Sequence, residues 1–217
     1  MNTSSRHSRT LTNGVEIPVL GIGTSHNNGG ISVDALMHAL ALGCRHVDTA
    51  QRYGTEAVVG QALGQSEVER EEIFVTTKLW PDNYGTDACF IATKKSLSRL
   101  KIDYVDLYLL HWPGAKSSRE LVETWRAMEL ILEKGDAKSI GVSNFQERHL
   151  DRLIENEASV IPHVNQIEFH PYQQDIGLIE YCTERNICVE GYSPLAKESL
   201  KKIHEVFYKL GKAKGKD

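Results

Sequence analysis

Short runs of β-branched and aliphatic residues recur along the chain, separated by longer stretches of helical period. Strand-like runs begin near Val19, Arg45, Ile73, Val105, Ala137, Val164 and Cys188. Two of them, IFVTTKL (73–79) and VDLYLLHW (105–112), are apolar at nearly every position. That suits parallel strands covered on both faces. The clearest helical stripe is Leu121, Trp125, Met128 and Leu132, spaced i, i+4, i+7 and i+11. Ahead of the first unit, Thr10 to Val19 holds Asn13-Gly14 between apolar residues, which predicts a hairpin.

Seven β–α units in succession predict a parallel barrel of the TIM (β/α)8 type rather than an open sheet. An open dinucleotide-binding sheet would carry G-x-G-x-x-G after its first strand. Here Gly21-Ile22-Gly23-Thr24-Ser25-His26 has His where the third glycine belongs. The pattern changes near the end. Leu200, Ile203, Phe207 and Leu210 share one helical face, predicting an amphipathic helix. An eighth strand is due near 212–216, but KAKGKD cannot be a buried strand. The expected fold is therefore one α/β domain over 1–217, a barrel with an N-terminal hairpin that lacks the eighth strand and C-terminal loop. Its first and seventh strands would be open edges, and self-association through them is expected.

Composition narrows the function classes. The chain has 217 residues, 41% hydrophobic, enough for one globular core. Net charge is −4, which argues against a nucleic-acid partner. The charge is uneven: residues 1–196 carry −8 and residues 197–217 carry +4. A basic tail could meet an acidic surface, although a solvated helix end explains it as well. No apolar run approaches the ~20 residues that cross a membrane. MNTSSRHSRT has no apolar signal region, so a cytoplasmic location is expected. Cys44, Cys89, Cys182 and Cys188 form no CxxC pair, so reduced thiols and no metal are expected.

Parallel barrels carry their active sites at the C-terminal ends of the strands. The second strand ends RHVDTA, giving Asp48, with Tyr53 in the following loop. The third and fourth end at Lys78 and His111. The fifth gives Ser143 and Asn144, the sixth Gln166 and Glu168, and the seventh Tyr192 and Ser193. A buried Lys needs a compensating charge, and Asp48 is the natural partner. A cation beside a phenol lowers the phenol's pKa, making Tyr53 a proton donor. His111 would orient a carbonyl oxygen, completing an electrophilic pocket for C=O. The hydride needs a cofactor. Taken singly, Asp48–Lys78 reads equally as a structural ion pair, His111 as a core histidine and Tyr53 as a loop aromatic. Their shared position at three consecutive strand ends favours a site.

These stretches resemble the aldo-keto reductase family. GCRHVDTAQRYGTEAVVG (43–60) and KSIGVSNF (138–145) are similar to its two signatures. FVTTKLW (74–80), LYLLHWP (107–113), VNQIEFHP (164–171) and GYSPLAK (191–197) are similar to further blocks. The resemblance covers about 10–197, leaving 198–217 as a divergent basic helix. The short loop at WPGAKSSRE (112–120) is similar to small-loop members such as the glyoxal and prostaglandin F synthase-like reductases. The resemblance implies NADPH-dependent reduction of aldehydes and ketones. It makes Tyr53 the proton donor, Asp48 and Lys78 the pair that tunes it, and His111 the substrate-orienting residue. Ser143, Asn144 and Gln166 would hold the nicotinamide carboxamide, and Tyr192 would stack on its ring. Gly23, Thr24, Asp48, Ser193 and Leu195 complete the implied cofactor contacts. Trp80 and Trp112 would join His111 in lining the substrate pocket.

Three departures from the family pattern stand out. Cys44 replaces an aromatic, and Ser25 stands where many members carry Trp. The Ile-Pro-Lys-Ser-like segment that grips the 2′-phosphate of NADPH has no counterpart, so weak NADPH binding is expected. Two other readings follow. One is a catalytically impaired chain that binds a partner through its open edge. The other is a barrel enzyme using Lys78 as a Schiff-base nucleophile.

Overall fold

The computed structural model describes residues 8–25, 30–155, 158–196 and 204–215. A hairpin of β1 (Ser8–Thr10) and β2 (Glu16–Pro18) precedes the barrel. Its turn forms because Gly14 takes φ +85°, a region open to glycine, while Asn13 Oδ1 accepts from the Val15 N–H at 3.3 Å.

Seven parallel strands follow in chain order: β3 (Ile22–Gly23), β4 (His46–Asp48), β5 (Phe74–Leu79), β6 (Leu107–Leu110), β7 (Ile140–Ser143), β8 (Val164–Glu168) and β9 (Cys188–Tyr192). Each pairs with the next, so the sheet curls into a nearly closed barrel. Among the described residues β3 and β9 are its two edges. Six helices cover the outside: α1 (Val33–Ala41), α2 (Glu56–Gln65), α3 (Thr86–Leu100), α4 (Ser118–Glu133), α5 (Glu147–Glu155) and α6 (Ile176–Glu184). Ser32, Ser117 and Asp175 cap α1, α4 and α6 by accepting from Ala35, Glu120 and Leu178 backbone N–H groups. On α4, Leu121, Trp125 and Met128 are buried, as the helical stripe predicts, with Leu132 half-buried.

The side-chain period of two divides every strand between two environments. Val47, Val75, Leu79, Tyr108, Leu110, Val142 and Ile167 pack outward against the helices. Phe74, Leu107, Leu109 and Val164 point inward, where Leu11 and Ile17 of the hairpin region close the lower end. Asn13 Nδ2 donates to the Lys138 carbonyl at 2.9 Å and fixes the hairpin there. Nearer the C-terminal ends, the inward positions turn polar: Asp48, Lys78, Ser143 and Gln166 share the inward parity.

A last helix, α7 (His204–Ala213), follows the seventh barrel strand and runs up to the place where an eighth strand was due. Its existence matches the apolar spacing, but its packing does not. Val206, Phe207, Tyr208 and Leu210 are exposed, so the apolar face is not covered by the described fold. Leu200 and Ile203, assigned to the same face, lie outside the described residues. Among the described residues no helix is long and apolar enough to cross a membrane.

Candidate active site

The Lys78 side chain is fully buried, and its position answers the question of how a charge survives there. Its ammonium has three N–H donors and three acceptors. Nζ lies 2.5 Å from Asp48 Oδ1, 3.0 Å from the Thr49 carbonyl and 3.5 Å from the Tyr53 hydroxyl. The second Asp48 oxygen accepts from Gln166 Nε2 at 2.8 Å. Asp48 therefore joins a cation on β5 to an amide on β8 across the barrel. On the outer face of β5, Thr77 donates to the buried Glu56 at 2.6 Å, and Arg99 holds the other Glu56 oxygen at 2.6 Å. This lattice ties α2 and α3 to the strand that carries Lys78.

Burial opposes the Lys78 charge, yet Asp48, Tyr53 and Glu190 together outweigh it, so its pKa is raised. Tyr53 corrects a sequence expectation. Burial raises its pKa above the usual 10, and Asp48 adds to that rise, while Lys78 and a Ser25 hydrogen bond pull it down without prevailing. The phenol is thus protonated at neutral pH. His111 is pushed down to about 4, first by burial and then by Lys78, so its ring is neutral. That ring meets Tyr53 edge-on at 5.4 Å and Trp80 at 5.2 Å, and its Nδ1 has no hydrogen-bond partner among the described residues.

Around this centre lies a cavity of about 760 Å³. Gly23, Asp48, Tyr53, His111, Trp112, Ser143, Asn144, Gln166, Tyr192 and Ser193 all line it. Ser143 Oγ donates to the Gln166 carbonyl at 3.0 Å. Asn144 Nδ2 donates to the His111 carbonyl and to Ser143 Oγ, both at 3.0 Å. Its Oδ1 accepts from the Tyr192 hydroxyl at 2.8 Å. Asn144 and Ser193 hold φ of +63° and +51°, left-handed conformations that cost energy outside glycine. Burial, with Glu168 and Tyr53, pushes Tyr192 up to about 12.

Three expected contacts fall elsewhere. Thr24 is buried and its hydroxyl sits 2.9 Å from Thr55 Oγ1, so only its backbone, donating to the Asp48 carbonyl, touches the site. Leu195 is 70% exposed and off the cavity wall. Trp80 packs edge-on against His111 and is not on the cavity wall, while Trp112 stands 44% exposed at the cavity.

Two inward residues escaped the sequence reading. Glu190 lies two positions before Tyr192 on β9, and His46 two before Asp48 on β4. The signal for both is parity with the residues already chosen. They approach to 3.9 Å inside the barrel, and His46 Nε2 lies 2.9 Å from Thr76 Oγ1. Burial raises the Glu190 pKa against the pull of His46, and its Oε2 has no hydrogen-bond partner among the described residues.

Comparison with known proteins follows the same lines. A sequence model described as Aldo/keto reductase family matches residues 19–213. Glyoxal reductase of Bacillus subtilis (strain 168) is 41% identical over 92% of this chain and 71% of its own length. The 9,11-endoperoxide prostaglandin H2 reductase of Trypanosoma cruzi (strain CL Brener) is 41% identical over 86% of this chain and 65% of its own. The chain thus spans about two thirds of these relatives. An aldo/keto reductase from Brucella melitensis superposes with a TM-score of 0.82 at 42% identity, covering 93% of this chain and 79% of that one. A solved aldo-keto reductase complexed with NADPH superposes at 0.79 and 37% identity, covering 86% and 62%.

Proposed function

Because the chain belongs to the aldo/keto reductase family, we propose that it reduces aldehydes and ketones to alcohols, with NADPH as hydride source and Tyr53 as proton donor. The observation that carries this reading is the Lys78 ammonium, held 3.5 Å from the Tyr53 hydroxyl with the neutral His111 ring beside it. The cavity volume is within the range of small-molecule sites, roughly 300–1,000 Å³.

The chain's own groups divide the work. A carbonyl oxygen placed between Tyr53 and His111 would accept from the phenol and from an imidazole N–H. As negative charge develops on that oxygen, the prepositioned donors stabilise it. Tyr53 then gives up its proton to the forming alkoxide. The phenolate left behind faces Lys78, whose charge favours it. Asp48 keeps Lys78 charged and in place. Ser143, Asn144 and Gln166 present hydroxyl and amide groups at one wall, and a carboxamide there would exchange with the hydrogen bonds they make to one another and to their neighbours. Tyr192 lines the same cavity, where its ring would stack on the nicotinamide. NADPH held there supplies the hydride, which no side chain can provide. That a relative's structure is complexed with NADPH supports this choice of cofactor.

Deuterium tracing tests the reaction directly. With NADPH carrying deuterium at both C4 positions and a reactive aldehyde, one deuterium should appear on the carbinol carbon of the product. Alcohol formed without label would contradict the reading.

The Schiff-base reading fits less well. A nucleophilic lysine must be neutral, whereas Lys78 has a raised pKa and all three donors engaged. Partner binding through the barrel edge is favoured by Val19 and Leu20, 65% and 78% exposed beside β3. Sedimentation at rising concentration tests it, and a monomer throughout would argue against self-association.

A further inference from the structure

One side chain outside the reacting set bridges the turn that carries Tyr53 to the segments packed around it. Gln51 opens the 3₁₀ turn Gln51–Tyr53 and lies two residues before Tyr53. Its carboxamide is engaged at both ends. Nε2 lies 3.3 Å from the Ala92 carbonyl, 3.1 Å from Ser96 Oγ and 3.4 Å from the Tyr108 hydroxyl. Oε1 accepts from the Trp80 N–H at 3.2 Å and from Asn83 Nδ2 at 3.3 Å. The first group belongs to α3 and β6, where Ser96 and Tyr108 are buried and fixed. The second belongs to the loop that leaves β5.

Both residues governed by this clamp face one ring. Tyr53 meets His111 at 5.4 Å and Trp80 meets it at 5.2 Å. We infer that Gln51 is a positioning residue, tying the turn that carries Tyr53 to the strand end that carries Trp80. It thereby sets the spacing of the acid, the orienting histidine and the Trp80 ring that packs edge-on against that histidine. Its amide suits this task because a single planar group can donate on one side and accept on the other. A residue that only satisfied buried groups would affect stability and leave the chemical step alone. The inference rests on the carbonyl-reduction reading.

Two substitutions separate these roles. Gln51→Met keeps the length and removes every hydrogen bond. Gln51→Glu keeps the acceptor for Trp80 and Asn83, and the Ser96 and Tyr108 hydroxyls can turn to donate to it. Small misplacements of reacting groups cost up to about 100-fold in rate. The expected result for Gln51→Met is a kcat about 10- to 100-fold lower with the NADPH dissociation constant within about twofold. Gln51→Glu should recover at least about threefold of that loss. The Trp80 amide should exchange with solvent about tenfold faster in Gln51→Met, a readout independent of turnover. Unchanged kcat, equal losses in both variants, or unchanged Trp80 exchange would overturn the inference. Should Gln51→Met not fold, Asn83→Ala removes one Oε1 partner and should lower kcat about threefold; an unchanged kcat there counts against the inference. If the wild-type protein turns over no carbonyl compound, the reductase reading fails, and Trp80 exchange alone decides the positioning claim.

Discussion

Asp48 and Lys78 form the ion pair on which the site is built, 2.5 Å apart, with the lysine side chain fully enclosed. Neither is interchangeable with a neutral residue. Replacing Asp48 with Asn would leave Lys78 buried without its counter-charge. Breaking a buried pair in this way costs about 3–5 kcal/mol. Chemical denaturation of Asp48→Asn should show a loss of that order, together with a fall in kcat.

The hydroxyl of Tyr53 contributes to chemistry more than to stability. Lys78 keeps Asp48 and the Thr49 carbonyl when that oxygen is removed. Tyr53→Phe should therefore unfold within about 1 kcal/mol of the wild type, the range of one ordinary hydrogen bond. Its turnover should fall by about 100-fold or more, the worth of a positioned general acid. A stability loss as large as that of Asp48→Asn would mean the hydroxyl is structural.

His111 makes stability depend on pH. Its folded pKa is about 4, below the 6.5 expected when unfolded. Above 6.5 it is neutral in both states and contributes no pH dependence. As pH falls from 6.5 toward 4 the unfolded state takes up a proton that the folded state refuses. Stability should then drop by roughly 1.4 kcal/mol per pH unit at most. His149 and His163, also lowered chiefly by burial, add in the same direction. Urea unfolding at pH 7 and pH 4.5 should show a smaller difference in His111→Asn than in the wild type.

Glu190 behaves in the opposite sense. Its folded pKa is raised, so the unfolded state ionises first as pH rises, and stability falls above the carboxylate range. Glu190→Gln removes a carboxylate whose Oε2 has no hydrogen-bond partner among the described residues. Thermal unfolding at pH 8 should find this variant as stable as the wild type or more stable, by roughly 1 kcal/mol. A variant clearly less stable would show that the carboxylate is compensated.

Much of this arrangement was legible before any coordinates. The strands announced themselves because both their faces are covered, leaving runs such as FVTTKL without polar interruption. The polar residues at their ends then marked the site. What stayed hidden depends on three-dimensional surroundings. The Tyr53 shift was misjudged because Lys78 is visible in sequence while burial and the opposing Asp48 charge are not. Glu190 and His46 share the parity of Tyr192 and Asp48 but lie below the strand ends, where sequence position alone does not mark a site. On α7, the spacing of Phe207 and Leu210 identified a helix face but carried no information about what would cover it. Gln51 gave no signal, since its five partners come from three distant segments.

Steady-state oxidation of NADPH in the presence of a reactive aldehyde, compared between wild type and Tyr53→Phe, tests the central claim most directly. The account predicts aldehyde-dependent loss of NADPH absorbance by the wild type, reduced about 100-fold or more in the variant, with the same weak-affinity NADPH quenching of tryptophan fluorescence in both. Equal turnover by the two proteins, or turnover by neither, would contradict it.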